Sequence, residues 1–369
     1  MTQILDLART SDPLADTALL RMTRTFPQTA LWNDSADPAE LSRSIGFGAV
    51  GATCNPVIAL AAIKADLPTW QARLRELAAE RPTAGESELG WLAVEELSVA
   101  AAELLLPSFE RTGGRNGRLS VQTDPRNHRD PAALIEQAVH FSEMAPNIIV
   151  KIPATAVGLV AIEEATYRGV SINATVSFTV PQAVAVAEAI ERAMDRRAKD
   201  GLPEHEFGSV ATIMGGRLDD WLKASAAKAE TLVPPGYLDW AGVAALKRAH
   251  HIFVERGYRI RVLSAAFRNH LQLSELVGGD LVISPPFAWQ QKINANDLAL
   301  PARIDEPVDP EIIATLTRLV PDFSRAYEPD GMTPAEFDDF GATRTTMRQF
   351  LDADAQLDAL VRDILVLAP

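Results

Sequence analysis

The sequence predicts an α/β fold: a (β/α)8 TIM-type barrel with extra helices. Eight short apolar segments, often rich in β-branched residues and bounded by turn residues, read as buried strands. Helical patterns separate most of them, and such alternation implies parallel pairing through right-handed crossovers. Eight is the count at which such a sheet closes on itself. An open doubly wound sheet is the competing arrangement. No G-x-G-x-x-G follows the first strand, which weakens its dinucleotide-binding form.

The strands are expected at Ala30–Asp34, Ala49–Asn55, Arg118–Thr123, Asn147–Pro153, Val170–Ser177, Ser209–Met214, Arg259–Phe267 and Asp280–Pro285. The clearest helices are Ala154–Arg168, Pro181–Lys199, Gly216–Thr231 and Ala241–Arg256. A long insert between the second and third strands carries helices near Leu67–Arg81 and Glu88–Phe109. The expected organisation is a single barrel domain over residues 1–369, with a helical insert at about 57–116 and a C-terminal helical extension at about 290–369. The extension includes Asp309–Leu319 and Gly341–Leu367. Two roles are open for these additions: covering a barrel end, or forming a subunit interface such as that of a homodimer.

With 369 residues the chain can bury a large core. It has 35 Lys and Arg against 49 Asp and Glu, a net charge of −14. That disfavours nucleic acid and anionic membrane surfaces, while a local basic pocket for a small anion remains compatible. A hydrophobic share of 47% with 23% charged residues is that of an ordinary packed globule. The one cysteine, Cys54, excludes an internal disulfide and a Cys-rich zinc site and suits a reducing cytoplasm. The six histidines form no H-x-x-x-H pair, so no metal is expected. The opening segment MTQILDLARTSDPLAD lacks a basic start followed by an apolar core, so it does not read as a secretory leader. No apolar run reaches the roughly 18 residues of a membrane span; Leu97–Pro107, the longest, is interrupted by Ser98 and Glu103.

In a barrel of this type chemistry sits at the C-terminal strand ends. Nearly every expected strand ends in a polar group: Asp34, Asn55, Gln122, Lys151, Asn173 with Thr175, Thr212, Arg268 and Ser284. Any one could be a cap or turn residue; eight together are harder to dismiss. Lys151 lies in the apolar run Asn147–Pro153, where lost solvation lowers an amine pKa. A neutral amine can attack a carbonyl and form a Schiff base; pairing with a buried carboxylate is the equally weighted alternative. Asp34 could move protons opposite such an amine or simply cap a helix. Asn173 and Thr175 share one strand face. Arg217 and Arg268 near a pocket mouth could grip a phosphate, or be solvated surface arginines.

Several stretches together resemble the transaldolase family. They are Asn33–Asp34, Thr53–Pro56, Gly117–Ser120, Val150–Thr155 through Gly158, Ile172–Phe178 with Pro181–Ala183, and Phe267–Asn269. They run in family order across most of the barrel, and the Lys-Ile-Pro-Ala-Thr segment followed by Asn-x-Thr is the most specific. The resemblance implies a metal-free, cofactor-free Schiff-base transferase of the pentose phosphate pathway, soluble and cytoplasmic, with sugar phosphates as small-molecule partners. It implies that Lys151 carries the imine. Asp34 would act on the donor C4 hydroxyl and Thr175 would position the catalytic water. Asn55 and Asn173 would bind the dihydroxyacetone unit, Thr53 and Thr212 would line the pocket, and Arg217 and Arg268 would hold the phosphate.

Three positions depart from the pattern. Gln122 stands where transaldolases usually have the Glu that takes a proton from the catalytic water, and Gln cannot accept it at neutral pH. The related fructose 6-phosphate aldolases have Gln there. Met214 stands where those aldolases have Tyr and transaldolases Phe, and Ala266 replaces a serine. Asp124, two residues beyond Gln122, is a candidate replacement base. Three readings result: a transaldolase, a Schiff-base aldolase without transfer, and a barrel that has lost catalysis. From the sequence alone, Gln122→Glu is expected to raise the transfer rate.

Overall fold

The computed structural model describes residues 16–203 and 208–366. The reading of residues 1–15, and of Leu367 as part of the last helix, lies outside them. Eight strands form where the apolar segments predict them: β1 Thr29–Leu31, β2 Gly51–Cys54, β3 Arg118–Gln122, β4 Ile148–Pro153, β5 Ile172–Thr175, β6 Val210–Ile213, β7 Arg261–Ser264 and β8 Leu281–Ile283. All pair in parallel in the order β1-β8-β7-β6-β5-β4-β3-β2. A parallel bridge between Asn33 and Ala52 joins β1 to β2 and closes the cylinder. Most strands are shorter than expected because their polar ends leave the ladder and turn into loops over the barrel mouth.

Alternation along each strand sends one set of side chains outward to the helices and the other inward. The inward set includes a compact apolar plug of Ala30, Trp32, Ile149, Val210, Leu263, Ala265 and Val282. Gly51 is required here, since a Cβ at that position would lie 2.5 Å from the Trp32 ring. Above the plug the inward positions become polar: Thr53, Gln122, Lys151, Asn173 and Thr212 are each buried. This order, apolar below and polar above, places the candidate site at the C-terminal strand ends.

The helices of the outer ring start on strong caps. Asn55, Asp130, Thr155 and Thr179 accept backbone N–H bonds at the starts of Pro56–Ala65, Pro131–Met144, Ala156–Tyr167 and Val180–Lys199. The region between β2 and β3 holds Pro56–Ala65, Leu67–Glu80 and Glu86–Arg111. The C-terminal helix Gly341–Leu365 packs on all three. Leu357 and Val361 lie against Gly90, and Arg362 pairs with Glu86. Among the described residues no helix is long and apolar enough to cross a membrane.

Candidate active site

Lys151 projects inward from β4, in register with Gln122 on β3 and Asn173 on β5. It is 6% exposed. Among the described residues no carboxylate oxygen lies within 4.0 Å of its ammonium, so the ion-pair alternative fails. Burial lowers the pKa of this amine; the Asp34 carboxylate opposes the shift, and Arg217 adds to it. The net direction is downward, toward the neutral, nucleophilic form.

Asp34 lies just beyond β1 and is half-buried. Its Oδ1 accepts a 2.5 Å hydrogen bond from Thr53 Oγ1. It caps no helix: Asp37 does that, accepting from Glu40 N at the start of Pro38–Gly46. Asn173 donates to Ser120 Oγ at 2.9 Å and accepts from Thr212 Oγ1 at 2.7 Å, a chain across three strands that fixes its amide. Thr175 is 1% exposed at the end of β5, in register with Pro153. Gln182, fully buried, donates to the carbonyls of Ala154 and Val176 and so ties the loop after β5 to that after β4. Asn55 Oδ1 accepts from Ile58 N at 3.0 Å as the helix cap, and among the described residues its amide N–H groups are uncommitted.

The two arginines differ. Arg217 is half-buried, and its Nη1 donates to Thr346 Oγ1 at 2.9 Å and Gln349 Oε1 at 2.7 Å on the C-terminal helix. Phe350 lies 5.5 Å from the guanidinium. Burial and the nearby Arg268 both lower its pKa. Two cations drawn together at a barrel mouth are a setting in which an anion is favourable. Arg268 is exposed and pairs with Asp220 at 2.8 Å. Its loop is nevertheless anchored. Gln272 Oε1 accepts from Arg268 N at 2.6 Å, and Gln272 Nε2 donates to the fully buried Asp219 at 2.7 Å. Ala266 sits there in the left-handed region at φ 60°. A Cβ on Gly216 would come within 2.0 Å of the Ala266 carbonyl oxygen, so only glycine fits.

Gln122 is 2% exposed, and neither its amide oxygen nor its nitrogen has a hydrogen-bond partner among the described residues. Asp124 does not face it as a free base. The strand ends at Gln122, and both Asp124 oxygens accept from the Arg126 guanidinium, with Oδ1 also capping Arg126 N. Met214 is buried just beyond β6.

The whole arrangement is a closed parallel barrel with an unpaired lysine among polar groups at its upper end. The transaldolase/fructose-6-phosphate aldolase family model matches residues 31–323. The chain belongs to the transaldolase/fructose-6-phosphate aldolase family. Among curated relatives it is 32% identical to transaldolase 1 of Streptomyces avermitilis over 56% of this chain and 54% of that one. It is 30% identical to transaldolase 1 of Streptomyces coelicolor over 64% and 62%, and 32% identical to the transaldolase of Thiobacillus denitrificans over 45% and 47%. The chain thus spans about half the length of the curated relatives it matches.

As a transaldolase/fructose-6-phosphate aldolase family barrel, its upper end contains residues that sequence reasoning did not single out. Thr346, Gln349, Phe350 and Asp354 come from the C-terminal helix. One signal for Asp354 was available: Phe350, Asp354, Leu357 and Val361 follow helical spacing, so an acidic residue stands in an otherwise apolar stripe. Asp219 carries the same signal between Leu218 and Leu222.

Proposed function

We propose that the chain is a transaldolase, moving a three-carbon dihydroxyacetone unit from a ketose phosphate to an aldose phosphate through a Schiff base on Lys151. The observation that carries this reading is the amine itself, buried, without an ion-pair partner and inside the barrel mouth. The neutral Lys151 amine adds to the ketose C2 carbonyl, one proton is taken up, and water leaves to give the iminium ion. Asp34 then takes the proton from the C4 hydroxyl as the C3–C4 bond breaks. The bonding electrons pass into the iminium ion, which becomes a neutral enamine, and an aldose phosphate departs. An acceptor aldehyde reverses these steps. Splitting the transfer through a covalent intermediate turns one difficult step into two easier ones.

In this reading Thr53 holds Asp34, Asn173 and Asn55 bind the hydroxyls of the three-carbon unit, and Thr212 fixes Asn173. Thr175 and Gln122 orient water, and Arg217 with Arg268 receives the phosphate. Hydrogen bonds to charged groups are worth about 1.5–3 kcal/mol. Arg217→Gln is therefore expected to raise KM for phosphorylated substrates about 10- to 10²-fold, with a smaller effect on kcat. Steady-state kinetics check this, and an unchanged KM refutes the phosphate role. We place the enzyme in the cytoplasm, as the single cysteine suggests, and carry the homodimer forward for analytical ultracentrifugation.

Gln122 favours a second reading, a Schiff-base aldolase that releases dihydroxyacetone without transfer. One experiment separates them. The protein is incubated with fructose 6-phosphate, reduced with borohydride and analysed by mass spectrometry. A transaldolase holds a three-carbon adduct on Lys151 that disappears when erythrose 4-phosphate is added before reduction, and it stays nearly idle without acceptor. An aldolase releases dihydroxyacetone with no acceptor. No adduct with any ketose phosphate leaves the non-catalytic barrel.

A further inference from the structure

A small pocket lies beside the Gln122 position, with Asn55 at the end of β2, Gln122 at the end of β3, Trp91 from Glu86–Arg111 and Asp354 from the C-terminal helix as its polar walls and apolar side chains such as Val94, Val121 and Leu357 completing it. Lys151 is not a wall but stands next to it, in register with Gln122 on β4. Two features make it unusual. The buried Gln122 amide has no partner at either end. Asp354, 3% exposed, has one oxygen held by Arg126 Nε at 3.0 Å, while its Oδ1 is buried without a hydrogen bond. Buried polar atoms left unmatched cost roughly 1–3 kcal/mol each. Four of them around one pocket, Trp91 Nε1 with the two ends of the Gln122 amide and Asp354 Oδ1, point to a small polar guest, and a water molecule is the size that fits.

We propose that Asp354 supplies the carboxylate that Gln122 lacks: Gln122 orients a water in this pocket and Asp354 is its proton acceptor and donor. The inference rests on the Schiff-base reading. When the Lys151 nitrogen adds to the ketone, the ketone oxygen takes up a proton from solvent to become the carbinolamine hydroxyl, while the surplus proton on nitrogen passes to the water and the water gives a proton to Asp354. When the carbinolamine C–O bond breaks, Asp354 returns that proton through the water to the departing hydroxyl. The nitrogen lone pair forms the C=N bond, and Asp354 ends ionised, as it began. The ionisable neighbours are Asp124 and Arg126 from the loop after β3, and Asp358 from its own helix; the Trp91 indole lies beside it. Burial and the two aspartates outweigh Arg126 and bring Asp354 up to about 6, close to working pH, where a proton shuttle is most effective. Asp124, with both oxygens on Arg126, polarises Asp354 from outside the pocket.

The same geometry revises the expectation for Gln122. With Asp354 in place, Gln122→Glu in the wild-type background puts two carboxylates around one pocket and brings little gain. In an Asp354→Asn background it restores the missing base.

The test is the rate of Lys151 adduct formation with fructose 6-phosphate, quenched by borohydride at pH 5 to 8, in wild type, Asp354→Asn and Asp354→Asn with Gln122→Glu. The wild-type rate is expected to fall below about pH 6. Asp354→Asn is expected to lower the neutral-pH rate about 10²-fold and to remove that limb, and the double variant to regain most of the loss. A residue that only docks the helix would leave the pH profile unchanged. Wild-type kinetics and profile in Asp354→Asn overturn the proposal. So does a wild-type profile without the limb, which needs no variant to fold. A wild type that forms no adduct at any pH instead overturns the Schiff-base reading, and this inference with it.

Discussion

Lys151→Met is expected to abolish the borohydride-trapped adduct while raising the melting temperature at neutral pH. The two effects share one cause. The lysine is buried without an ion-pair partner, and folding lowers its pKa. Methionine keeps most of the volume and needs no solvation. The sign follows from linkage: a folded-state pKa below the unfolded value of about 10.4 means that folding is opposed wherever the unfolded amine is protonated. The penalty is fully present below the lowered folded pKa and fades as pH rises toward about 10.4. Each pH unit of lowering costs about 1.4 kcal/mol. The stability gap between Lys151→Met and wild type is therefore expected to be wide at pH 7 and to close by about pH 10.5. Calorimetry across that range checks it. A less stable Met variant at pH 7 would mean that Asp34 and its surroundings bind the ammonium more strongly than burial opposes it.

Asp34→Asn is expected to leave imine formation intact and to slow carbon–carbon cleavage by about 10²- to 10⁴-fold, the range of a general base. The Thr53 hydroxyl can still donate to the amide oxygen at this position, so the local geometry is kept. Losing the carboxylate removes the acceptor for the C4 proton, not the nucleophile. The mass spectrum reports the difference directly: fructose 6-phosphate should be trapped as an intact six-carbon adduct, where wild type yields three carbons. A three-carbon adduct formed at the wild-type rate would remove Asp34 from the cleavage step. Loss of any adduct would reassign it to imine formation.

The barrel was legible because each strand is a short apolar run between turn residues, and eight such runs alternating with helices leave little room for another closed parallel sheet. The strand ends were less so. Asp34, Asn55 and Arg268 continue polar segments that sequence extends into the strand, whereas their backbones turn away to loops and caps. Lys151 was legible for a related reason, as a charge inside an apolar strand is expensive and stands out. Its two alternatives were not separable until the structure showed that, among the described residues, no carboxylate oxygen lies within 4.0 Å of the amine. Asp124 looked equivalent to Gln122 by strand parity, but the strand stops at Gln122 and Arg126 claims the carboxylate.

What the sequence determined by itself was the set of elements, the polar character of one barrel end and the identity of the amine. These follow from local pattern: periodicity, capping residues and the solvation cost of single charges. The tertiary structure decided what meets at that end. Residues more than 200 positions apart, Gln122 and Asp354, share one pocket, and Arg217 is held by Thr346 and Gln349. No local pattern encodes such a meeting. It results from the C-terminal helix burying Phe350, Leu357 and Val361, and the hydrophobic effect that docks this stripe is non-directional. Where the polar residues on the stripe land is set by the shape of the surface it covers.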